Sequence, residues 1–430
     1  MLNSRKAASL ARIAAGLLTT LTLSAAIASP AAASASPSAD CFDTGLPVTV
    51  EEARVDRPVP GALIEAGGFT DFPVALRKAL CSARSVGAAQ RALAVQGATL
   101  WRTAVDRAQG RITMGTIERY DDRPLYWTRL TGIRDIRQWA PRFGLSDDQR
   151  QKLIRTFEYA ARGVTSTTFR PGTTRVLVSG FDPYYLDQEI RRSNPSGAAA
   201  LQLDGTRRTE GGRTVEVQAV ALPVTWSGFN AGIVEDAFGP HLTGRSPQRA
   251  DLIMTISQGL RGVMNIERWA GAWRGGTIDN NNAGTPELVP LAPRWPQPDP
   301  TPEWIETSLP YQAMVDAGTG PWPTQLNRQL CEWAAGDRPT GTTTCHTGEP
   351  TGQALSGGGG NYLSNESMYR SNRLRLALGA TDVPGGHLHI SALLALADPT
   401  ALLDPAFAAD RAATIEQTVA LVGAAGDAVR

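Results

Sequence analysis

In the first third of the chain, apolar positions recur every three or four residues. In Ala88–Gln109 and Asp147–Arg162 this spacing, in a background of Ala, Leu, Arg and Gln, predicts helices. The second is also punctuated. Ser146 stands at the N-cap with Gln149 three residues later, Leu153, Ile154, Phe157 and Ala161 form one face, and Gly163 follows as a stop. Residues 36–170 therefore read as a mainly helical region. No titratable cluster stands out in it, so its expected role is packing or partner contact.

Past the Gly/Pro/Thr break at Arg170–Thr174 the period changes. Arg175–Ser179, Val215–Val220 and Asp251–Ser257 are short apolar runs of the kind that form buried strands, and Leu376 onward and His387–Ala395 supply others. Ser196–Leu203 and Gly228–Ala237 suit intervening helices. Strands alternating with helices imply an α/β domain over 171–430, with a mostly parallel sheet covered on both faces and its chemistry at the carboxyl ends of the strands. Between Ile278 and Gly360 lies a Pro/Gly/Thr-rich stretch, read as an insertion near 318–356. It is too long for an ordinary connection, which makes it a lid or a linker.

Charge and composition narrow the class. With 42 Lys+Arg against 41 Asp+Glu the chain has a formal charge of +1, so nothing favours a nucleic-acid partner. Residues 1–35 have Arg5, Lys6 and Arg12 before the apolar run Ile13–Ile27, then small residues such as Ala33-Ser34-Ala35. That is the pattern of a signal peptide, and it predicts a secreted protein with no membrane attachment once the leader is cleaved. In an oxidising compartment four cysteines without C-x-x-C spacing read as two disulfides. Three pairings are open; Cys41–Cys81 and Cys331–Cys345 are preferred because each stays within one region.

Only four histidines are present. His241 and His346 look like loop residues, whereas His387 and His389 lie two apart in a strand-like run and so point to one face. No further ligands at suggestive spacing accompany them, so no metal site is assigned. The run Ser356–Asn365 lacks the Gly-Lys-Ser/Thr of a phosphate loop and the G-x-S-x-G of a nucleophile elbow. It offers a flexible turn leading to Ser364 and then a helix-compatible stretch, Asn365–Leu378. A hydroxyl at a helix start faces free backbone N–H groups suited to an oxyanion.

These residues carry a resemblance. Val176–Tyr184 (V-L-V-S-G-F-D-P-Y), Asn194-Pro-Ser196, Ala221-Leu-Pro-Val224, Ser257-Gln258-Gly259 with Glu267-Arg268-Trp-Ala270, Thr307-Ser-Leu-Pro310 with Met314–Ala317, Ser356–Asn365 and Gly386–Ile390 follow in the motif order of the pyroglutamyl peptidase I family. The chain resembles that family from about Thr173 to Ala395. The resemblance implies a three-layer α/β/α core, no cofactor, and a hydrolase that removes an N-terminal pyroglutamyl residue from a peptide, or cleaves a related lactam amide. It maps the nucleophile onto Ser364 in place of the family's cysteine, the base onto His389, the orienting carboxylate onto Glu267, and the lactam pocket onto Phe181, Tyr184 and Gln258. His387 stands at a phenylalanine position and is an alternative base. Thr277 and Ala272 stand where the family has an arginine and an asparagine. The competing expectation is an inactive member that binds a peptide, a lactam or a protein partner.

Overall fold

The structure is a computed structural model that describes residues 41–244 and 246–429. The expected leader, 1–35, lies outside the described residues.

Among the described residues five long helices precede the sheet: α1 (Pro58–Ala66), α2 (Asp71–Ser82), α3 (Val86–Ala108), α4 (Arg123–Gln138) and α5 (Asp147–Ala160). The Ser146 cap forms as expected. Its hydroxyl accepts from the Gln149 N–H at 3.3 Å, and the Gln149 side chain accepts from the Ser146 N–H at 3.0 Å. The apolar stripe Leu153, Ile154, Phe157 and Ala160 is buried against α3. Gly97 of α3 permits that approach, since a Cβ there would lie 2.7 Å from the Phe157 carbonyl oxygen. Leu93, Leu100 and Trp101 complete a core in which each large apolar side chain contributes about 1.5–3 kcal/mol. The Cys41–Cys81 disulfide ties the leading segment to the end of α2.

The sheet has seven strands: β1 (Thr174–Phe181), β2 (Thr206–Glu210), β3 (Arg213–Leu222), β4 (Leu252–Gln258), β5 (Met264–Glu267), β6 (Thr324–Asn327) and β7 (Gly385–Ile390). Their order is β6-β5-β7-β4-β1-β3-β2. β3, β1, β4 and β7 run parallel, β5 and β6 run antiparallel to β7, and β2 is an antiparallel edge. Helix α6 (Pro195–Leu203) and the last helix, α8 (Pro405–Ala428), cover one face, where Val176, Val178, Met254 and Ile256 pack with Leu421 and Val422. Helix α7 (Leu363–Ala377) covers the other, where Leu177 and Phe181 pack with Leu363 and Leu374. The domain is thus a mixed α/β, three-layer arrangement with a mostly parallel sheet.

Three expectations change. Leu376 belongs to the last turn of α7, which ends at Ala377 with Gly379 at φ +65°, so no strand starts there. Gly228–Ala237 is not one helix but two short ones, Trp226–Asn230 and Ile233–Phe238, because Gly232 sits at φ +89° between them. The long insertion is not a bare loop. Its Thr324–Asn327 is a strand of the main sheet, and Leu330–Trp333, Thr343–His346 and Gln353–Ser356 form a three-stranded antiparallel sheet. Cys331 and Cys345 face each other in that sheet and are bridged. Among the described residues no helix is long and apolar enough to cross a membrane.

Candidate active site

Alternation along three neighbouring strands builds the site. Met254, Ile256, Met264, Ile266, Leu388 and Ile390 all point into the core beneath α6 and α8. Strand side chains alternate, so Thr255 and Ser257 of β4, His387 and His389 of β7, and Asn265 and Glu267 of β5 share the opposite face, under α7. Register brings them together: Thr255 lies beside His387, Ser257 beside His389, and Glu267 across from His387.

Glu267 and His389 form a hydrogen-bonded pair. The Glu267 carboxylate is fully buried and its Oε1 lies 2.7 Å from His389 Nδ1. Its Oε2 accepts from Asn327 Nδ2 at 2.8 Å, and the same amide donates to the Gly358 carbonyl at 3.2 Å. Both carboxylate oxygens are therefore held, and the imidazole is fixed with Nε2 facing away from the carboxylate. The glycine run of the Ser356–Asn365 segment gains its reason here. A Cβ on Gly358 would stand 2.0 Å from Glu267 Oε2, and one on Gly359 would stand 3.1 Å from His389 Cε1.

Ser364 is the second residue of α7. Tyr362 at the N-cap gives no side-chain cap, so the first-turn N–H groups have no intrahelical partner. Asn365 anchors the helix start to the strand Trp269–Gly271, accepting from the Gly271 N–H and donating to its carbonyl, both at 2.9 Å. The Ser364 hydroxyl pairs with Ser257 Oγ at 2.9 Å and makes no hydrogen bond to His389. Behind Ser257 stands His387, whose Nε2 is 2.8 Å from Ser257 Oγ and whose Nδ1 is 2.7 Å from Thr255 Oγ1. The structure thus joins Glu267 to His389 and Ser364 to Ser257, and both pairs border one cavity.

The two histidines differ in what they can carry. His387 is fully buried, and burial, with the His389 ring 4.6 Å away between centroids, holds its pKa well below the ordinary value. It has no carboxylate partner and stays neutral. His389 has both a carboxylate on one nitrogen and access to the cavity through the other side of the ring.

The cavity holds about 370 Å³ and is lined by Phe181, Tyr184, Gln258, Tyr362, Ser364 and His389 among others. Phe181 stacks on Phe229 at 6.1 Å. Gln258 Nε2 donates to the Tyr184 hydroxyl at 2.7 Å, which leaves the Gln258 carbonyl oxygen available to a ligand N–H. The turn bearing Phe181 and Tyr184 is fixed from both sides. Ser196 Oγ accepts from the Phe181 N–H at 3.1 Å, and Asn194 Nδ2 donates to the Asp182 carbonyl at 2.8 Å. Arg129 of α4 and Arg162 both pair with the buried Asp182 carboxylate, Arg162 at 2.7 Å.

That last contact corrects the expectation that the helical region lacks a titratable cluster: its arginines were invisible as a cluster because their partner, Asp182, lies in the sheet domain. A larger cavity, of about 760 Å³, borders Arg129, Arg162 and Glu51, whose carboxyl burial pushes up to about 7. No histidine lines it to serve as a base, and Arg162 and Arg137 there are paired to Asp182 and Glu52, so the smaller cavity is the candidate active site. Ser257, Thr255 and Asn327 were not singled out from sequence, although the alternation M-T-I-S and the register of β6 are what place them.

Comparison with known proteins adds the following. The family descriptions PA0049 N-terminal domain and PA0049, C-terminal domain match residues 31–158 and residues 175–293 and 323–394. A Pseudomonas aeruginosa protein described as uncharacterized protein PA0049 is 30% identical, over 91% of this chain and 92% of its own length. Two solved structures of pyroglutamyl peptidase I from Bacillus amyloliquefaciens align at 17% identity and a TM-score of 0.38. They cover 59% and 60% of this chain, and 97% and 95% of their own chains.

Proposed function

The chain belongs to the PA0049 family, and on that premise we propose that it is an amide hydrolase using Ser364 as nucleophile, His389 as base and Glu267 as the orienting carboxylate. The substrate is a peptide with an N-terminal pyroglutamyl residue, or a related lactam amide. The observation that carries this reading is the 2.7 Å contact of His389 Nδ1 with buried Glu267, in the same cavity as a hydroxyl at an uncapped helix start.

The chemistry follows from those positions. With its proton turned toward His389, Ser364 Oγ attacks the scissile carbonyl carbon as that proton passes to His389 Nε2. Glu267 stabilises the resulting imidazolium. The carbonyl oxygen takes the negative charge and is met by the first-turn N–H groups of α7. Collapse breaks the C–N bond, the leaving amine takes the proton from His389, and water then cleaves the acyl ester. A flat, uncharged lactam suits the apolar wall at Phe181 and Tyr184, and its ring N–H finds the free Gln258 oxygen. Two disulfides suit an oxidising compartment, and the reading includes export.

One observation favours a second reading, a catalytically silent lactam or peptide binder: the Ser364 hydroxyl engages Ser257 rather than His389. A pyroglutamyl fluorogenic amide and a fluorophosphonate probe separate the two. Turnover and labelling by the purified chain, both lost in Ser364→Ala by on the order of 10⁴-fold or more, are expected. Binding of a pyroglutamyl peptide with neither turnover nor labelling would establish the silent binder instead.

A further inference from the structure

Ser364 is the terminus of a buried hydroxyl and imidazole chain, Thr255–His387–Ser257–Ser364, with links of 2.7, 2.8 and 2.9 Å. A neutral imidazole has one donor and one acceptor nitrogen, so the chain has two possible polarities. In the first, Thr255 donates to His387 Nδ1, Nε2–H donates to Ser257, and Ser257 donates to Ser364 Oγ. The Ser364 proton is then free to face the cavity. In the second, every link reverses. Ser364 donates to Ser257, and the nucleophile's proton is locked away from His389.

The two polarities differ at the buried end. Reversal takes the Thr255 proton off His387 and leaves it only the Gly386 carbonyl oxygen, 3.4 Å away, well beyond the usual 2.7–2.8 Å for a hydroxyl donor. The first polarity puts every buried proton on a link of ordinary length, and the one uncommitted proton, on Ser364, lies where solvent or substrate enters. A buried donor without a good partner is disfavoured; one facing a wet cavity is not.

We propose that Thr255, His387 and Ser257 are positioning residues that fix His387 as the Nε2–H tautomer and so present the Ser364 hydroxyl with a lone pair held by Ser257 and its proton directed to the cavity. The proposal rests on the reading of Ser364 as nucleophile for its catalytic consequence, but the hydrogen-bond polarity is a property of the resting chain. His387 takes no proton during turnover. The His389 ring beside it is the one that becomes positive, which disfavours a second charge 4.6 Å away.

The test begins with ¹⁵N-resolved imidazole NMR of the unaltered full chain. The expected spectrum assigns the His387 proton to Nε2, neutral from pH 5 to 9. A proton on Nδ1, or a His387 that titrates in that range, overturns the proposal whether or not the chain turns over any substrate. The variants Ser257→Ala and His387→Phe then report on catalysis. Each is expected to lower kcat, or the fluorophosphonate labelling rate, by about ten- to a hundredfold, with KM and the pH midpoint unmoved. The double variant should be no slower than the slower single one. Unchanged rates in a folded Ser257→Ala protein, or a shifted pH midpoint, would count against the positioning role. If Ser364→Ala removes no labelling while the Nε2–H tautomer is found, the function proposed above fails and the polarity stands.

Discussion

Gly358 is the residue whose replacement most directly tests the carboxylate. With 2.0 Å between a notional Cβ and Glu267 Oε2, Gly358→Ala must displace either the loop or the carboxylate that orients His389. The expected result is a loss of at least about a hundredfold in kcat, the scale on which a misplaced catalytic group is felt, while the sheet core, which the loop only borders, keeps its cooperative unfolding. Retained turnover would mean that the loop yields and leaves the carboxylate in place; retained turnover in Glu267→Gln as well would mean that Glu267 has no orienting role. The sequence made Ser364, His389 and Glu267 legible through their place in ordered motifs, and Phe181, Tyr184 and Gln258 with them. It left His387 and His389 competing as bases, because two residues apart on a strand they share a face. Burial separates them: His387 is fully enclosed without a carboxylate, whereas His389 is paired to Glu267 and borders the cavity, which is why the proposed function takes His389 as base. Ser257, Thr255 and Asn327 escaped because a hydroxyl or an amide in a strand looks ordinary until register shows what stands beside it.

At the scale of elements, β1, β3, β4 and β7 were legible because short apolar runs bounded by turn residues suit strands covered on both faces. β5 and β6 were not. Each is four residues long, and β6 lies inside a Pro/Gly-rich stretch whose composition reads as loop; its partner, β5, is some sixty residues away. The G-F-D-P-Y turn shows the same dependence on distant partners. Asp182 is enclosed and paired with Arg129 and Arg162, so the helices hold the turn that presents Phe181 and Tyr184 to the cavity. Asp182→Asn leaves two buried guanidinium groups against a neutral amide and is expected to cost about 3–5 kcal/mol of unfolding free energy. Turnover measured well below the lowered melting temperature should show KM raised by about tenfold with kcat changed less, since in the proposed function the displaced parts bind substrate and do not react with it. An unchanged KM would separate the turn from recognition.

Across the whole molecule, a buried polar junction joins the helices, the start of α6 and the final helix. Arg411 of α8 pairs with Glu118 and with Asp121, which also pairs with Arg123, and Arg411 Nη1 donates to Ser193 Oγ at 3.0 Å. Ser193 in turn bonds Asp122, whose other oxygen accepts from the Asn194 N–H at 3.0 Å. Burial first, then the neighbouring Asp121 charge, pushes the Asp122 carboxyl up to about 6 from 3.8. Asp121 is displaced the opposite way by Arg123 and Arg411, which win over its own burial, so its titration falls outside the neutral range. For Asp122 the sign is fixed by the raised folded-state value. The folded chain holds the proton more tightly than the unfolded chain, so the associated stabilisation is complete below about pH 4 and is lost as pH rises through 6. Between pH 5 and pH 8 that loss amounts to about 1.4 kcal/mol. Glu51 and Asp204, pushed up to about 7 and about 6, act in the same direction, while His387 and His241, whose burial holds their pKa below the ordinary value, act in the opposite one, so the slope of the unaltered chain alone does not report Asp122. Asp122→Asn isolates its share. The amide keeps an acceptor for the Asn194 N–H and places a donor toward Ser193, so the junction retains its bonds. Urea unfolding at pH 5, 6, 7 and 8 should give a shallower decline for the variant, with the two curves converging or crossing as pH rises. Parallel curves would mean that Asp122 is already ionised at pH 5, and that Arg411 and Ser193 stabilise its charge strongly enough to offset burial.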